Sequence, residues 1–144
     1  NDESGISYND ENYRLIHGID VSKWQEKIDW HKVKESGIHF AFIRVGYRGG
    51  NGKIYEDECA AYNLQEAEAN GILIGVYFFS TAVTKEEAIE EAEWVLDYIE
   101  GYSISYPVVY DCEGFTEPDS RMYNVTAEQR TDNALAFLDK ICYT

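Results

Sequence analysis

Proline and cationic side chains are scarce in this chain, which has 2 Pro and 12 Lys plus Arg against 27 Asp plus Glu in 144 residues, a formal charge of -15. The shortage of cations argues against a nucleic-acid partner, because affinity for phosphate backbones comes from clustered Lys and Arg that release counterions. No apolar run approaches the roughly 20 residues of a spanning helix, so no membrane span is expected. The segment Asn1 to Arg14 has neither the basic region nor the apolar core of a leader, and residues 1–16 are expected to form a flexible lead-in. Cys59, Cys112 and Cys142 are an odd set without a Cys-x-x-Cys pair, which argues against a disulfide framework. His17, His31 and His39 form no His-Glu-x-x-His pattern, so no metal or other cofactor is expected. What is plentiful is apolar and aromatic surface, 44% and 15% of residues. A chain of this size buries about 68–70% of its unfolded surface, enough for one folded domain.

A short apolar run followed by a helical pattern occurs four times. The strand candidates are His17–Ser22, Phe40–Gly46, Ile72–Phe79 and Tyr106–Gly114, and the helix candidates are Ile28–Ser36, Cys59–Asn70, Lys85–Glu100 and Ala127–Cys142. The third helix should bury a stripe of Ala88, Ile89, Ala92, Val95, Leu96 and Ile99, with acidic residues opposite. Thr84 with Glu87, and Thr126 with Gln129, have capping-box spacing, and Gly37, Gly71 and Gly101 stand where helices should stop. Alternating β and α elements imply an α/β fold with a parallel sheet, either a (β/α) barrel or a doubly wound sheet.

Residues two apart on a strand share a face. Ile19, Val21, Ala41, Ile43, Val45, Ile74, Val76, Phe78, Val108, Tyr110 and Cys112 should therefore meet the helices. The other face carries Asp20, Arg44, Tyr77, Phe79, Asp111 and Glu113, all toward the C-terminal strand ends, where barrel enzymes keep their active sites. No Gly-x-Gly-x-x-Gly follows the first strand, which disfavours a dinucleotide site and leaves a TIM-like barrel as the better expectation. Four βα units do not close such a barrel. Residues 17–144 are accordingly expected to be its N-terminal part, with the C-terminal strands missing from this chain.

Asp111 and Glu113 lie on one face of a single strand end. Two carboxyls this close do not ionise independently, so one should titrate above its usual range and be able to act as a general acid. Glycoside hydrolysis needs such a pair, one group to protonate the leaving oxygen and one to serve the sugar's positive centre. Asp20 adds a third carboxylate, and Arg44 should keep at least one of them charged. Each feature alone has a plainer explanation: a solvated strand end or helix cap for the Asp-x-Glu pair, a turn cap for Asp20, an ion pair for Arg44, core packing for Tyr77 and Phe79. Their convergence on one rim is what points to catalysis.

The strings His17-Gly-Ile-Asp-Val-Ser-Lys-Trp-Gln25, Ile28-Asp-Trp30, Phe40-Ala-Phe-Ile-Arg-Val-Gly46, Gly75-Val-Tyr-Phe-Phe-Ser80 and Tyr106-Pro-Val-Val-Tyr-Asp-Cys-Glu113 together resemble the family 25 glycoside hydrolases, the lysozymes of phage endolysins and bacterial autolysins. The resemblance runs from about His17 to the end and includes Asn63, Ala67 and Gly71. It implies a modified barrel that cleaves the β-1,4 bond between N-acetylmuramic acid and N-acetylglucosamine in peptidoglycan, without a metal. By the same resemblance Glu113 is the proton donor, Asp111 its carboxylate partner and Asp20 the first-strand carboxylate, while Tyr77 and Phe79 line the sugar groove; Arg44, from its place on the same face, is a substrate-binding candidate. The nucleophile stays unassigned. The implied partner is the peptidoglycan glycan strand, the implied location is extracellular or at the cell wall, and the expected state is a monomer if the domain is complete. Two rival readings are a metal-dependent phosphodiesterase or deacetylase, in which Asp20, Asp111 and Glu113 ligate a hard cation, and a wall-binding module that keeps the groove without chemistry.

Overall fold

The structure, a computed structural model, describes residues 10–143. Residues 1–9 of the expected lead-in lie outside the described residues. Between 10 and 16 the chain forms no helix or strand, and Tyr13, Leu15 and Ile16 are exposed. The elements then follow as β1 (Gly18–Val21), α1 (Trp30–Glu35), β2 (Phe40–Arg48), β3 (Ile54–Glu56), α2 (Ala60–Ala69), β4 (Leu73–Ser80), α3 (Lys85–Ile99), β5 (Val108–Cys112) and α4 (Ala127–Cys142). Strands β1, β2, β4 and β5 lie side by side in that order and all pair in parallel. All four expected strands and helices are present. The short β3 is the addition, an antiparallel partner to the end of β2 across the Gly49–Lys53 turn. Three residues carry too little periodicity to announce a strand.

The helix-facing side of the sheet is the core. Ala41, Ile43, Val45, Ile74, Val76 and Phe78 are all buried, and Phe78 meets Trp94 of α3 edge to face at 5.8 Å. Each large apolar side chain buried this way contributes about 1.5–3 kcal/mol. Trp30 anchors α1 against α2 by donating its ring N–H to Asn63 Oδ1 at 3.1 Å, an interaction between two fully buried side chains.

Thr84 and Thr126 cap their helices, accepting from the amides of Glu87 and Gln129 at 3.2 and 3.1 Å. Neither forms the reciprocal half of a capping box: Glu87 turns to the Val83 amide and Arg121, and Gln129 to Asn133. The complete box lies elsewhere, on a short 3-10 turn at Lys23–Gln25, where Ser22 and Gln25 satisfy each other's backbone. The apolar stripe of α3 also needs correction. Ala88, Ala92 and Val95 are buried as expected, but Ile89 is exposed, and the buried surface includes Glu91, an acid expected on the opposite side.

Glu91 is buried because β2 supplies a cation for it. The pairing of β2 with β4 slips by one residue between Arg44 and Gly46, a β-bulge that leaves Val45 without a partner. Arg44 aligns with Tyr77, yet Tyr47 aligns with Phe79. The strand's alternation is therefore inverted beyond the bulge, and Arg48 enters the helix layer. There its Nε donates to Glu91 Oε1 at 2.7 Å and its Nη2 to Glu90 Oε2 at 2.8 Å.

Candidate active site

The opposite face of the sheet is divided along the strands. Toward the N-terminal ends it is sealed by aromatic rings: Phe40 stacks on Tyr106 at 4.8 Å, and Phe42 stands edge-on to both. Gly75 makes this seal possible, since a Cβ there would lie 2.4 Å from the Phe42 ring and 2.9 Å from Tyr106. Toward the C-terminal ends the face opens into a groove of about 610 Å³. Asp20, Arg44, Tyr77, Phe79, Asp111 and Glu113 all line it, so the residues singled out from strand alternation meet in one place. Ser22, Trp24, Phe42, Val109 and Tyr110 complete the lining.

Parallel pairing produces this convergence. Asp20 is level with Phe42 on β2, one side-chain step below Arg44, which is level with Tyr77 of β4. Phe79 of β4 is in turn level with Asp111 of β5. Glu113 follows directly after β5, and Gly114 at φ +77 then turns the chain away. That left-handed backbone strongly favours glycine.

The electrostatics match a shared-proton pair. Burial raises the Asp111 carboxyl to about 6, and Glu113 adds to the rise through its charge and a shared hydrogen bond. Asp20 pushes the same way, while Arg44 opposes them without prevailing. The expectation that one member of the pair titrates high is thus met at Asp111, which shares a hydrogen bond with Glu113. Burial likewise raises the Tyr77 hydroxyl, leaving it neutral and able to donate.

Arg44 is not paired to the catalytic candidates. Its Nε donates to Asp57 Oδ2 at 2.7 Å, and its guanidinium lies 5.0 Å from the centre of the Tyr47 ring. Asp57 follows β3 and is fully buried. Sequence reasoning missed it, because it sits among Glu56 and Glu58 in a stretch that reads as a solvated acidic loop. Trp24 was also passed over as a site residue. Its 75% exposure beside the groove is unusual for so large an apolar side chain, and its place in a polar turn after the first strand was the available signal. Among the described residues no group of three or more His, Cys, Asp or Glu is arranged to hold a metal ion, and no helix is long and apolar enough to cross a membrane.

Comparison with known proteins agrees with this geometry. Residues 19–143 match the family model described as glycosyl hydrolases family 25. Among curated proteins, the uncharacterized protein YegX of Escherichia coli K12 is 36% identical over 104 residues, covering 68% of this chain and 36% of YegX. The chain thus spans about a third of the length of that relative. Among solved structures, the modular autolysin LytC of Streptococcus pneumoniae, in complex with a synthetic peptidoglycan ligand, has a TM-score of 0.75 at 24% identity over 88% of this chain and 29% of LytC. A bacterial lysozyme from Streptomyces coelicolor has a TM-score of 0.69 at 28% identity over 89% of this chain and 58% of the lysozyme. With the family pattern matched across nearly all of its described residues and the fold shared with two such structures, the chain belongs to family 25 of the glycosyl hydrolases.

Proposed function

We propose that this protein is a peptidoglycan hydrolase that cleaves the β-1,4 bond between N-acetylmuramic acid and N-acetylglucosamine by acid-assisted hydrolysis. The observation that carries the reading is the coupled Asp111–Glu113 pair at the C-terminal mouth of the sheet, in a chain of a family whose structural relatives include a lysozyme and an autolysin bound to a peptidoglycan ligand. In mildly acidic solution the pair holds a proton that a glycosidic oxygen can receive. Glu113, nearest the mouth, delivers that proton to the leaving oxygen. Asp111 is its partner, and its returning negative charge favours the positive centre developing on the sugar. Asp20 adds negative potential from β1. Tyr77 and Phe79 offer ring faces to the apolar side of a sugar, and Arg44 is the cation facing the glycan's oxygens. Residues 17–144 act in this reading as the N-terminal part of the catalytic barrel, and the site of action is the cell wall.

The test is mass spectrometry of borohydride-reduced fragments released from purified peptidoglycan by the whole protein and by its Glu113→Gln variant. Reduced muramic acid ends from the wild type alone are expected. Reduced glucosamine ends would assign a different bond, and absence of any release would return the groove to a binding role.

A further inference from the structure

We propose that Asp57 is a positioning residue of the groove: its carboxylate pins Arg44 through Nε, so that the remaining guanidinium nitrogens are kept for a carbonyl or carboxylate oxygen of the bound glycan. The inference rests on the muramidase reading and goes beyond it by naming what orients the cation and which substrate atoms that cation meets.

Asp57 has no freedom of its own. Oδ2 accepts from Arg44 Nε at 2.7 Å and from the Lys23 amide at 3.0 Å, while Oδ1 accepts from the Cys59 amide at 2.9 Å. Its own amide donates to the carbonyl of Val45 at 2.9 Å, at the bulge of β2. A carboxylate held by three donors and tied through its backbone is a fixed point in the fold.

Arg44 is held but not satisfied. A guanidinium carries five N–H donors, and among the described residues only Nε has a hydrogen-bond partner. Nη2 is buried with none, although buried donors are nearly always paired in folded proteins. Arg44 lines the groove between Asp20 and Tyr77, and its guanidinium lies against the Tyr47 ring, so an incoming oxygen would meet a cation whose orientation is already set. Peptidoglycan supplies planar oxygens of this kind in the acetamido groups of both sugars and in the lactyl carboxyl of muramic acid. Through the Lys23 amide, Asp57 also holds the capped turn that places Trp24 at the rim. One carboxylate thereby sets the spacing between a cation on the groove floor and an aromatic face at its edge.

The experiment combines steady-state kinetics on solubilised glycan with titration of glycan fragments into a Glu113→Gln background, followed by intrinsic tryptophan emission. Asp57→Asn is expected to raise KM and the fragment dissociation constant about tenfold while kcat stays within about twofold. In an Arg44→Met background the same change should add less than about twofold, because Asp57 acts through Arg44. If Asp57→Asn does not fold by circular dichroism, Arg44→Lys keeps the charge, removes the fork and should reproduce the rise in KM. N-deacetylated glycan and oligomers lacking the lactyl group identify the oxygen: whichever substrate already binds the wild type weakly should be insensitive to Asp57→Asn. An unchanged KM in a folded Asp57→Asn protein, or fully additive losses with Arg44→Met, overturns the proposal. A wild type that neither binds nor cleaves glycan overturns the muramidase reading first and the proposal with it.

Discussion

Two arginines on one strand live under opposite conditions. Arg48 is engaged at all three nitrogens: besides its bonds to Glu91 and Glu90 it donates to the carbonyls of Gly52 at 2.6 Å and Glu87 at 3.0 Å. Arg44, four positions earlier and also buried, has Asp57 as its one hydrogen-bond partner among the described residues. Glu91 completes the Arg48 side by accepting from Ser80 Oγ at 2.5 Å, and Ser80 Oγ in turn lies 3.0 Å from the Tyr110 hydroxyl. A buried cation that uses its donors within the protein ties elements together, whereas one that keeps donors in reserve faces something the protein does not supply. Changes on the groove side should therefore cost activity, and changes on the helix side should cost stability.

Glu113→Gln gives the largest expected effect and tests the groove side. Loss of a positioned acid should reduce glycan cleavage by about 10²–10⁴-fold. The unfolding midpoint in urea should remain near that of the wild type, and a comparable loss of stability would show that the groove is not specialised for chemistry. Arg48→Met tests the other side. It leaves Glu91 buried beside only the Ser80 hydroxyl, and breaking such a pair costs about 3–5 kcal/mol. Urea unfolding should report that loss, while activity per folded molecule, counted by active-site titration, stays close to wild type.

Arg44→Met sharpens the contrast within a single strand. Asp57 keeps the amides of Lys23 and Cys59 after the substitution, so the stability cost should be about 1–2 kcal/mol, less than that of Arg48→Met, although KM rises. Equal unfolding free energies for the two variants would erase the distinction.

The smallest effect concerns pH. Asp111 is raised from 3.8 to about 6, so the folded protein binds more protons than the unfolded chain across that interval, and this group's contribution to stability falls as pH rises through it. Asp111→Asn should therefore stabilise the protein at pH 7 by about 1 kcal/mol after allowance for solvent screening. It should also flatten the stability profile between about pH 4 and 6. Glu91, raised by burial to about 7 against the pull of Arg48 and Ser80, adds a slope of the same sign that should persist in the variant. A steeper profile in Asp111→Asn would contradict the sign of the shift.

Much of this arrangement was legible in the sequence, for identifiable reasons. Strand alternation placed Asp20, Arg44, Tyr77, Phe79, Asp111 and Glu113 on one rim because the first five lie on parallel strands, where a period of two is imposed by the pleat, and Glu113 continues the period of β5 by one residue. The expectation for Arg44 as a direct counter-charge was incomplete, since its strongest contact is to Asp57, a long-range partner that no local period encodes. Glu91 was misread for a related reason. Helical periodicity placed it among acids facing water, whereas the cation that buries it comes from 43 residues away in the chain.

The bulge at Val45 acts as a parity switch. Arg44 and Arg48 are an even number of residues apart, and in an unbroken strand both would project into the groove, crowding it with positive charge and stranding Glu91 among apolar neighbours. One uncounted residue sends them to opposite sides. Deleting Val45 would therefore straighten β2 yet keep the two arginines on opposite faces, now three positions apart, whereas an even spacing without the bulge would put both in the groove; changes of length in the Gly49–Lys53 turn, which begins after both arginines are placed, would leave either assignment intact. At this point in the fold, the number of residues matters more than their kind.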